Sequence, residues 1–145
     1  MKREENMKTI KTSYGYIMRL NKGEELVSSL ARFATEQHIE AAWINGLGAV
    51  TSVELGYYDL DNQTYHWKIF NKTLEITSLS GNITSQDNQP TVHAHGTFSD
   101  ESYQTVAGHI KEATIGGTCE LMIATSNDII VRARDDETGL NLMQL

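Results

Sequence analysis

The chain has 145 residues, of which 39% are hydrophobic and 21% are charged, a composition that is ordinary for one domain with its own buried core. Its 12 basic and 19 acidic residues give a formal net charge of −7, which argues against binding to nucleic acid through clustered Lys and Arg. The one cysteine, Cys119, excludes an intrachain disulfide and a cysteine-rich zinc module, and its apolar neighbours indicate a buried small side chain.

The chain begins with a charged segment that is followed by a strand. Residues 1–12 lack the apolar stretch of a secretory signal, and no apolar run in the chain reaches the roughly 18 residues of a membrane helix. We therefore expect a cytoplasmic protein that does not enter a membrane. The segment "SYGYIMRL", residues 13–20, predicts the first strand.

Residues 21–38 predict the one main helix of the chain. Apolar side chains recur there at the spacing i, i+4 and i+7, which is the pattern of an amphipathic helix of about four turns. These side chains are Leu26, Leu30 and Phe33. Asn21 and Glu24 have the spacing of a capping box, so we expect the helix to begin at Asn21.

From residue 40 onward the sequence is dominated by strands. The predicted strands are residues 41–59, 65–70, 73–84, 91–99, 117–126, 128–135 and 140–145. Residues 59–64 indicate a hairpin turn and residues 85–90 a polar loop, while residues 101–115 form a strand or a strand after a short helical turn.

The connections between these strands are too short for repeated βαβ crossovers. The chain therefore predicts a single α+β domain over residues 1–145, with its core at about residues 13–134. In this fold one main helix flanks a mainly antiparallel sheet of six to eight strands.

Two histidines, His93 and His95, lie one residue apart on a predicted strand. Alternation along a strand places both of them on one face, while Val92, Ala94 and Phe98 form an apolar face that we expect to pack in the core. The two histidines therefore point away from the core. They are either metal ligands or ordinary polar residues of a solvated sheet face.

A third histidine, His109, is the candidate that completes a metal site. Two imidazoles on one strand can share an ion with a third from a neighbouring strand, and the adjacent Gly108 allows the backbones to approach closely. Three histidines without thiolates suit zinc and also iron, nickel or copper, so the ligand types do not choose the ion, and zinc is our expectation. His38 and His66 have no partner histidine in the sequence, so we interpret them as structural.

Two acidic residues interrupt apolar strands and are candidates for chemistry beside the histidines. Glu75 lies in "TLEITSL" and Glu120 in "GTCELMIA". Each is either a solvated residue of the sheet face, a fourth ligand or orienting partner of an imidazole, or a general base beside a metal-bound water.

Four segments form an ordered set along the chain. They are "INGLGAVTSVELGYYD" at 44–59, "LEITSLSGNIT" at 74–84, "VHAHGTFSD" at 92–100 and "AGHIKEATIGGTCELMI" at 107–123. In this order they resemble the PPC (plants and prokaryotes conserved) domain family, and the similarity extends from about residue 14 to residue 134. Ala107 stands where the family often has glycine. The resemblance implies a PPC-like α+β fold, a homotrimer, and a metal site on the three histidines.

The resemblance also brings a DNA-binding description, which in plant members accompanies AT-hook motifs. This chain has no Arg-Gly-Arg-Pro core of an AT-hook, and its net charge of −7 opposes direct contact with DNA.

We expect a homotrimeric assembly or regulatory domain that acts through protein partners, rather than an enzyme. The alternative is a metal-dependent enzyme, cupin-like in one variant, or a small-molecule binder. It would use the cluster His93, His95 and His109 together with Glu120 or Glu75. Direct DNA binding is the third and least supported interpretation.

Overall fold

The computed structural model describes residues 7–145, so residues 1–6 of the charged N-terminal segment lie outside the described part. The elements in chain order are β1 (Lys8–Thr12), β2 (Gly15–Asn21), α1 (Leu26–Glu36), β3 (Ala42–Asp59), β4 (Thr64–Phe70), β5 (Leu74–Gln86), β6 (Gln89–Ser99), β7 (Thr105–Thr125), β8 (Arg132–Arg134) and β9 (Asn141–Met143). Strands β1 to β7 form one antiparallel sheet, and β8 and β9 form a separate two-stranded sheet. The prediction of an α+β domain with one main helix and a mainly antiparallel sheet of six to eight strands is confirmed.

The long strands β3 and β7 form the centre of the main sheet. They pair with each other from Ala42 opposite Thr125 to Gly56 opposite His109. β6 pairs with the first part of β7 and with β5, and β5 pairs with the first part of β3. Each of these four strands therefore pairs with two of the others, in the closed order β3–β5–β6–β7–β3. β4 continues the sheet from the second part of β3, while β2 and then β1 continue it from the second part of β7.

The hydrophobic core lies between α1 and the sheet. Leu26, Leu30 and Phe33 are buried on one side of α1, which contacts β6 and β7, so the predicted amphipathic face is confirmed. Cys119 on β7 is buried as well, and this burial, with a smaller contribution from Glu120, raises the pKa of its thiol to about 12. Within residues 7–145, no helix combines the length and the apolar character that a membrane crossing requires.

The start of α1 is at Leu26, and the predicted start at Asn21 was wrong. The N-cap residue is Glu25, whose carboxylate accepts hydrogen bonds of 2.6 and 3.0 Å from backbone N–H groups of the first turn. Glu24 does accept a 2.6 Å hydrogen bond from the N–H of Asn21, but in the turn before the helix. The N–H of Ile115 on β7 donates to the carbonyl of Glu24, so this turn is held to the sheet. The helix therefore has 11 residues, about three turns instead of four.

The polar segment 85–90 forms the tight end of the β-hairpin between β5 and β6, and the prediction of a loop there was wrong. β5 runs to Gln86 and β6 starts at Gln89, so that only Asp87 and Asn88 turn the chain. Their φ angles are 51° and 61°, and two-residue hairpin turns require such positive values. Asn and Asp adopt them more readily than most residues do.

The C-terminal third also differs in detail from the prediction. Residues 101–115 and 117–126 contribute to one continuous strand, β7, which a turn and not a helix precedes. The strand predicted at 128–135 is reduced to the three residues of β8, which pairs with β9. An isolated bridge between Ser85 and Val131 ties this part of the chain to β5. The small second sheet is thereby held beside β5.

Candidate metal centre

The structure brings His93, His95 and His109 together on one face of the main sheet. His95 on β6 pairs directly with His109 on β7, and His93 lies two residues before His95. The intervening side chains of β6 point the other way, since Ala94 and Phe98 are buried in the core. The predicted division of this strand into a core face and a histidine face is confirmed.

The three imidazole rings are close enough for a single metal ion to lie among them. The centroid of the His93 ring is 5.0 Å from that of His95 and 5.1 Å from that of His109, and the last two are 5.4 Å apart. The Nε2 atoms of His93 and His95 are 3.1 Å apart, and one ring nitrogen from each residue lies within 4.8 Å of the others. Nitrogens bound at about 2.0–2.1 Å to a tetrahedral zinc lie roughly 3.3 Å apart, so a movement of about 1 Å would close the set.

One ring nitrogen of the cluster lacks a partner. The Nδ1 atom of His109 is buried and makes no hydrogen bond within the described residues. Buried polar atoms are normally satisfied, because leaving one without a partner costs about 1–3 kcal/mol. The orphaned nitrogen and the all-imidazole donor set both fit a zinc-type ion.

Burial keeps the imidazoles of His93 and His109 neutral. It is the main reason why the pKa of His93 falls from 6.5 to about 4, and the nearby His109, Arg132 and His95 lower it further. The pKa of His109 is lowered in the same way, first by burial and then by His95. At pH 7 these two rings are therefore uncharged, which is the form that binds metal ions.

Arg132 on β8 lies against the histidine cluster and was not singled out from the sequence. Its Nε donates a hydrogen bond to Oγ1 of Thr84 at 2.8 Å, and its Nη2 donates to Oδ1 of Asn82 at 2.9 Å. Its Nη1 donates to the carbonyl of Asn141 on β9 at 2.8 Å. Nη2 also lies 3.4 Å from Nδ1 of His93. These contacts fix a positive charge beside the cluster.

Two aromatic residues of β4 form one wall of the site. The rings of Tyr65 and Trp67 stack at 4.5 Å, and their centroids lie 5.2 and 6.0 Å from that of His109. Gly56 lies between β4 and β7 and pairs with both Trp67 and His109. A Cβ at Gly56 would come within 2.4 Å of a ring carbon of Trp67, so glycine is what lets the aromatic rings reach across β3.

A cavity of about 570 Å³ opens over the cluster, a volume that suits a small organic ligand. The three histidines and Arg132 are among its polar lining residues, together with Gln86, Thr91 and Asn141. The other lining residues include Tyr58, Tyr65, Leu140 and Leu142. Within the part of the chain that the structure describes, no Asp or Glu side chain lines this cavity.

The acidic candidates Glu75 and Glu120 lie away from the histidines. Glu120 is eleven residues beyond His109 on β7, where it pairs with β2. Glu75 on β5 pairs with Ser99, at the end of β6 and six residues beyond His93. Both side chains are exposed, and neither lines the cavity. The structure thus does not bring either carboxylate to the cluster.

The other two histidines also lie apart from the cluster. His38 is exposed just after α1, with a φ angle of 54°. His66 on β4 is exposed, lies 3.5 Å from the carboxylate of Asp59 and stacks against Tyr57. These positions agree with their interpretation as structural residues.

Comparison with known proteins matches the chain to one family model, to part of a longer curated protein and to solved structures of the same fold. The family model of the Plants and Prokaryotes Conserved (PCC) domain matches residues 7–127. The bifunctional protein GlmU of Synechococcus sp. (strain JA-3-3Ab) is 32% identical over 126 residues. That similarity covers 86% of this chain but 19% of GlmU, so the chain spans about a fifth of this curated relative.

Two solved structures resemble the chain over almost its whole length. A protein from Bacteroides thetaiotaomicron, provisionally named a DNA-binding protein, has a TM-score of 0.92 and 30% identity over 95% of this chain and 96% of its own. A metal-containing protein from Archaeoglobus fulgidus has a TM-score of 0.84 and 32% identity over 99% of both chains. The likeness therefore includes the strands that carry the three histidines.

Proposed function

The chain belongs to the Plants and Prokaryotes Conserved domain family, and on that premise we propose that it binds a divalent transition metal on His93, His95 and His109. We propose zinc as the ion, because open zinc sites commonly use three histidines and leave a fourth position for a water or a ligand. The cavity over the cluster would allow a small molecule to approach the bound ion. The proposed role is therefore that of a metal-dependent small-molecule binder.

The observation that carries this proposal is the convergence of three imidazoles at the wall of a cavity. A solvated polar face would not require the Nε2 atoms of His93 and His95 to meet at 3.1 Å. It would also not require His109 to keep a buried nitrogen without a partner. A relative from Archaeoglobus fulgidus is described as metal-containing, which supports the same interpretation.

A bound zinc ion would supply Lewis acidity to a ligand in the cavity. The residues of this chain would hold the ion, exclude water on one side with Tyr65 and Trp67, and offer the positive charge of Arg132. We favour binding over catalysis, because the three histidines would be occupied by the ion and no carboxylate that could act as a general base is among the lining residues that the structure describes.

A role in DNA binding is less well supported for this chain. The similar protein from Bacteroides thetaiotaomicron carries a provisional DNA-binding name. Here the net charge is −7, and Lys111 and Lys72 are engaged in ion pairs with Glu54 and Asp100. We propose that any link to DNA passes through protein partners.

The second candidate function is assembly of copies of this chain into a homotrimer. One face of the sheet carries exposed apolar side chains at adjacent positions on neighbouring strands. We call this set of residues the apolar stripe. Its members are Ile10, Ile17, Trp43, Leu47 and Met122. Exposed apolar areas of this kind are typical of interaction surfaces.

Light scattering after gel filtration tests the assembly proposal. We expect a mass three times the 16.2 kDa of one chain, and a shift towards one chain for Met122→Lys. Leu60→Lys changes a more exposed apolar residue in the turn between β3 and β4, outside the apolar stripe, and it should leave the mass unchanged. A wild-type mass of one chain at micromolar concentration would contradict a homotrimer.

Elemental analysis tests the main proposal. Protein purified without a histidine tag, loaded with zinc and dialysed should retain about one equivalent per chain. The double variant His93→Ala/His95→Ala should retain less than about a tenth of that amount, because one imidazole cannot hold the ion alone. Equal retention by the wild type and the double variant would overturn the proposal.

A further inference from the structure

Arg132 is a positive charge at the cavity wall without an acidic partner among the described residues. The ion pairs found within residues 7–145 do not include it, and no acidic side chain lines the cavity. The chain has seven more acidic than basic residues, so a shortage of acidic side chains does not explain why Arg132 lacks an acidic partner. Charged groups that are withdrawn from water are normally paired, so the missing partner points to an external anion.

The guanidinium of Arg132 also has donors to spare. Of the five N–H groups of an arginine, three go to the oxygen atoms of Thr84, Asn82 and Asn141. A fourth points from Nη2 towards Nδ1 of His93, at the long distance of 3.4 Å. One N–H of Nη1 therefore has no oxygen acceptor within the described residues.

Metal binding would free the fourth donor as well. The Nε2 atom of His93 is the one that faces His95, so a metal ion shared by the two rings would be bound through Nε2. A neutral imidazole bound through Nε2 carries its proton on Nδ1. The contact between Arg132 and His93 would then join two donors, and both would need an acceptor from outside the protein.

We propose that the cavity binds a small organic carboxylate, with its carboxylate group on Arg132 beside His93 and its apolar part between the tyrosine and leucine walls. Arginine is the side chain whose geometry best matches a carboxylate. The cavity of about 570 Å³ is larger than an inorganic anion needs, and Tyr58, Tyr65 and Leu142 would contact an apolar group. The inference rests on the proposed function in one respect, because the metal ion is what would free the donor that faces His93. The positive charge of Arg132 is present with or without the ion.

Calorimetric titration with benzoate and with its neutral analogue benzyl alcohol tests this inference, using both zinc-loaded and metal-free protein. Benzoate should bind at least about tenfold more tightly than benzyl alcohol, since a charge-assisted hydrogen bond contributes roughly that much. Arg132→Gln should remove this preference while leaving the weak binding of benzyl alcohol unchanged. Arg134→Gln is the matched control, because Arg134 lies on the same strand, is exposed and does not line the cavity.

The two metal states separate this inference from the proposed function. Retained zinc with no preference for benzoate would overturn the carboxylate inference and leave the metal proposal standing. Absent zinc with a preference that depends on Arg132 would overturn the metal proposal and support the carboxylate site. If Arg132→Gln does not fold, a crystal of the wild type with 4-bromobenzoate decides the question. The anomalous scattering of the bromine atom then locates the ligand. A carboxylate group that does not contact Arg132 would overturn the inference.

Discussion

The Nε2 atoms of His93 and His95 lie 3.1 Å apart on one face of β6, and their side chains are held there by the buried residues of the opposite face. Two imidazoles that meet in this way share either a proton or an ion. The pairing of His95 with His109 brings a third ring to the same point. The sheet therefore arranges the donor set before any ligand binds, which lowers the cost of ordering it.

The third ring should be needed for tight metal binding. His109→Ala should weaken zinc affinity by about 100-fold or more, because two imidazoles on one strand give an incomplete ligand set. A competition titration with a chromophoric chelator measures this change. His66→Ala serves as the control, since His66 is exposed on β4 and lies outside the cavity. Equal affinities for the wild type and His109→Ala would remove His109 from the site.

The stability of the metal-free protein should fall as the pH is lowered from about 6.5 to about 4. In this range the unfolded chain binds a proton at His93 with a pKa of 6.5, whereas the folded chain resists it down to about 4. The lowered pKa of His109 acts in the same direction. The loss attributable to His93 should be roughly 2 kcal/mol, since the ring stays partly solvated.

Urea unfolding curves across this pH range measure the effect. His93→Gln should flatten the dependence, whereas His38→Gln, at an exposed position outside the cluster, should keep it. Carboxyl groups with a lowered pKa, such as that of Asp100, lose their contribution as the pH falls below their ordinary pKa of 3.8, which lies under this window. A stability that does not change between the two limits would contradict the neutral state of the half-buried His93.

Replacing Gly56 with alanine, the smallest residue that has a Cβ, should already destabilise the fold. Gly56→Ala would place a Cβ within 2.4 Å of the Trp67 ring, so we expect a loss of about 1–3 kcal/mol in the free energy of unfolding and a change in tryptophan fluorescence. Gly117→Ala is the matched control in a strand, because a Cβ there has no neighbour within 4 Å. If both variants have the same stability and fluorescence spectrum, glycine at position 56 is not what lets the Trp67 ring reach across β3.

The isolated chain should not bind DNA at physiological salt. Its net charge of −7 means that it has no excess of Lys and Arg side chains to neutralise phosphates and release their counterions. Fluorescence anisotropy with a labelled duplex, repeated at several salt concentrations, checks this expectation. Sub-micromolar affinity that falls steeply with salt would show that a basic surface has been overlooked.

The fold and half of the site could be predicted because they depend on local pattern. Strand alternation placed His93 and His95 on a face opposite Phe98, and the order of the strand motifs added His109. The start of α1 was misplaced because Asn21 and Glu24 do make the contact of a capping box, but tertiary hydrogen bonds to β7 hold that turn. Local spacing could not reveal that competition.

The remaining part of the site depends on contacts between distant segments. Arg132 reaches His93 only because β8 lies beside β5, and nothing in its own neighbourhood marks it as a site residue. Tyr65 and Trp67 lie on the histidine side because Gly56 opens the space between β4 and β7. Glu75 and Glu120 were candidates because they interrupt apolar strands, yet the lengths of β5 and β7 carry them away from the cluster.

The most direct test of the central claim is the zinc X-ray absorption spectrum of the loaded protein. We expect nitrogen neighbours at about 2.0–2.1 Å with the outer-shell pattern of imidazole rings, three of them from the cluster. His95→Ala should lose part of that imidazole pattern, while His66→Ala should keep all of it. A spectrum without imidazole scattering, or one that His95→Ala leaves unchanged, would contradict a metal centre on His93, His95 and His109.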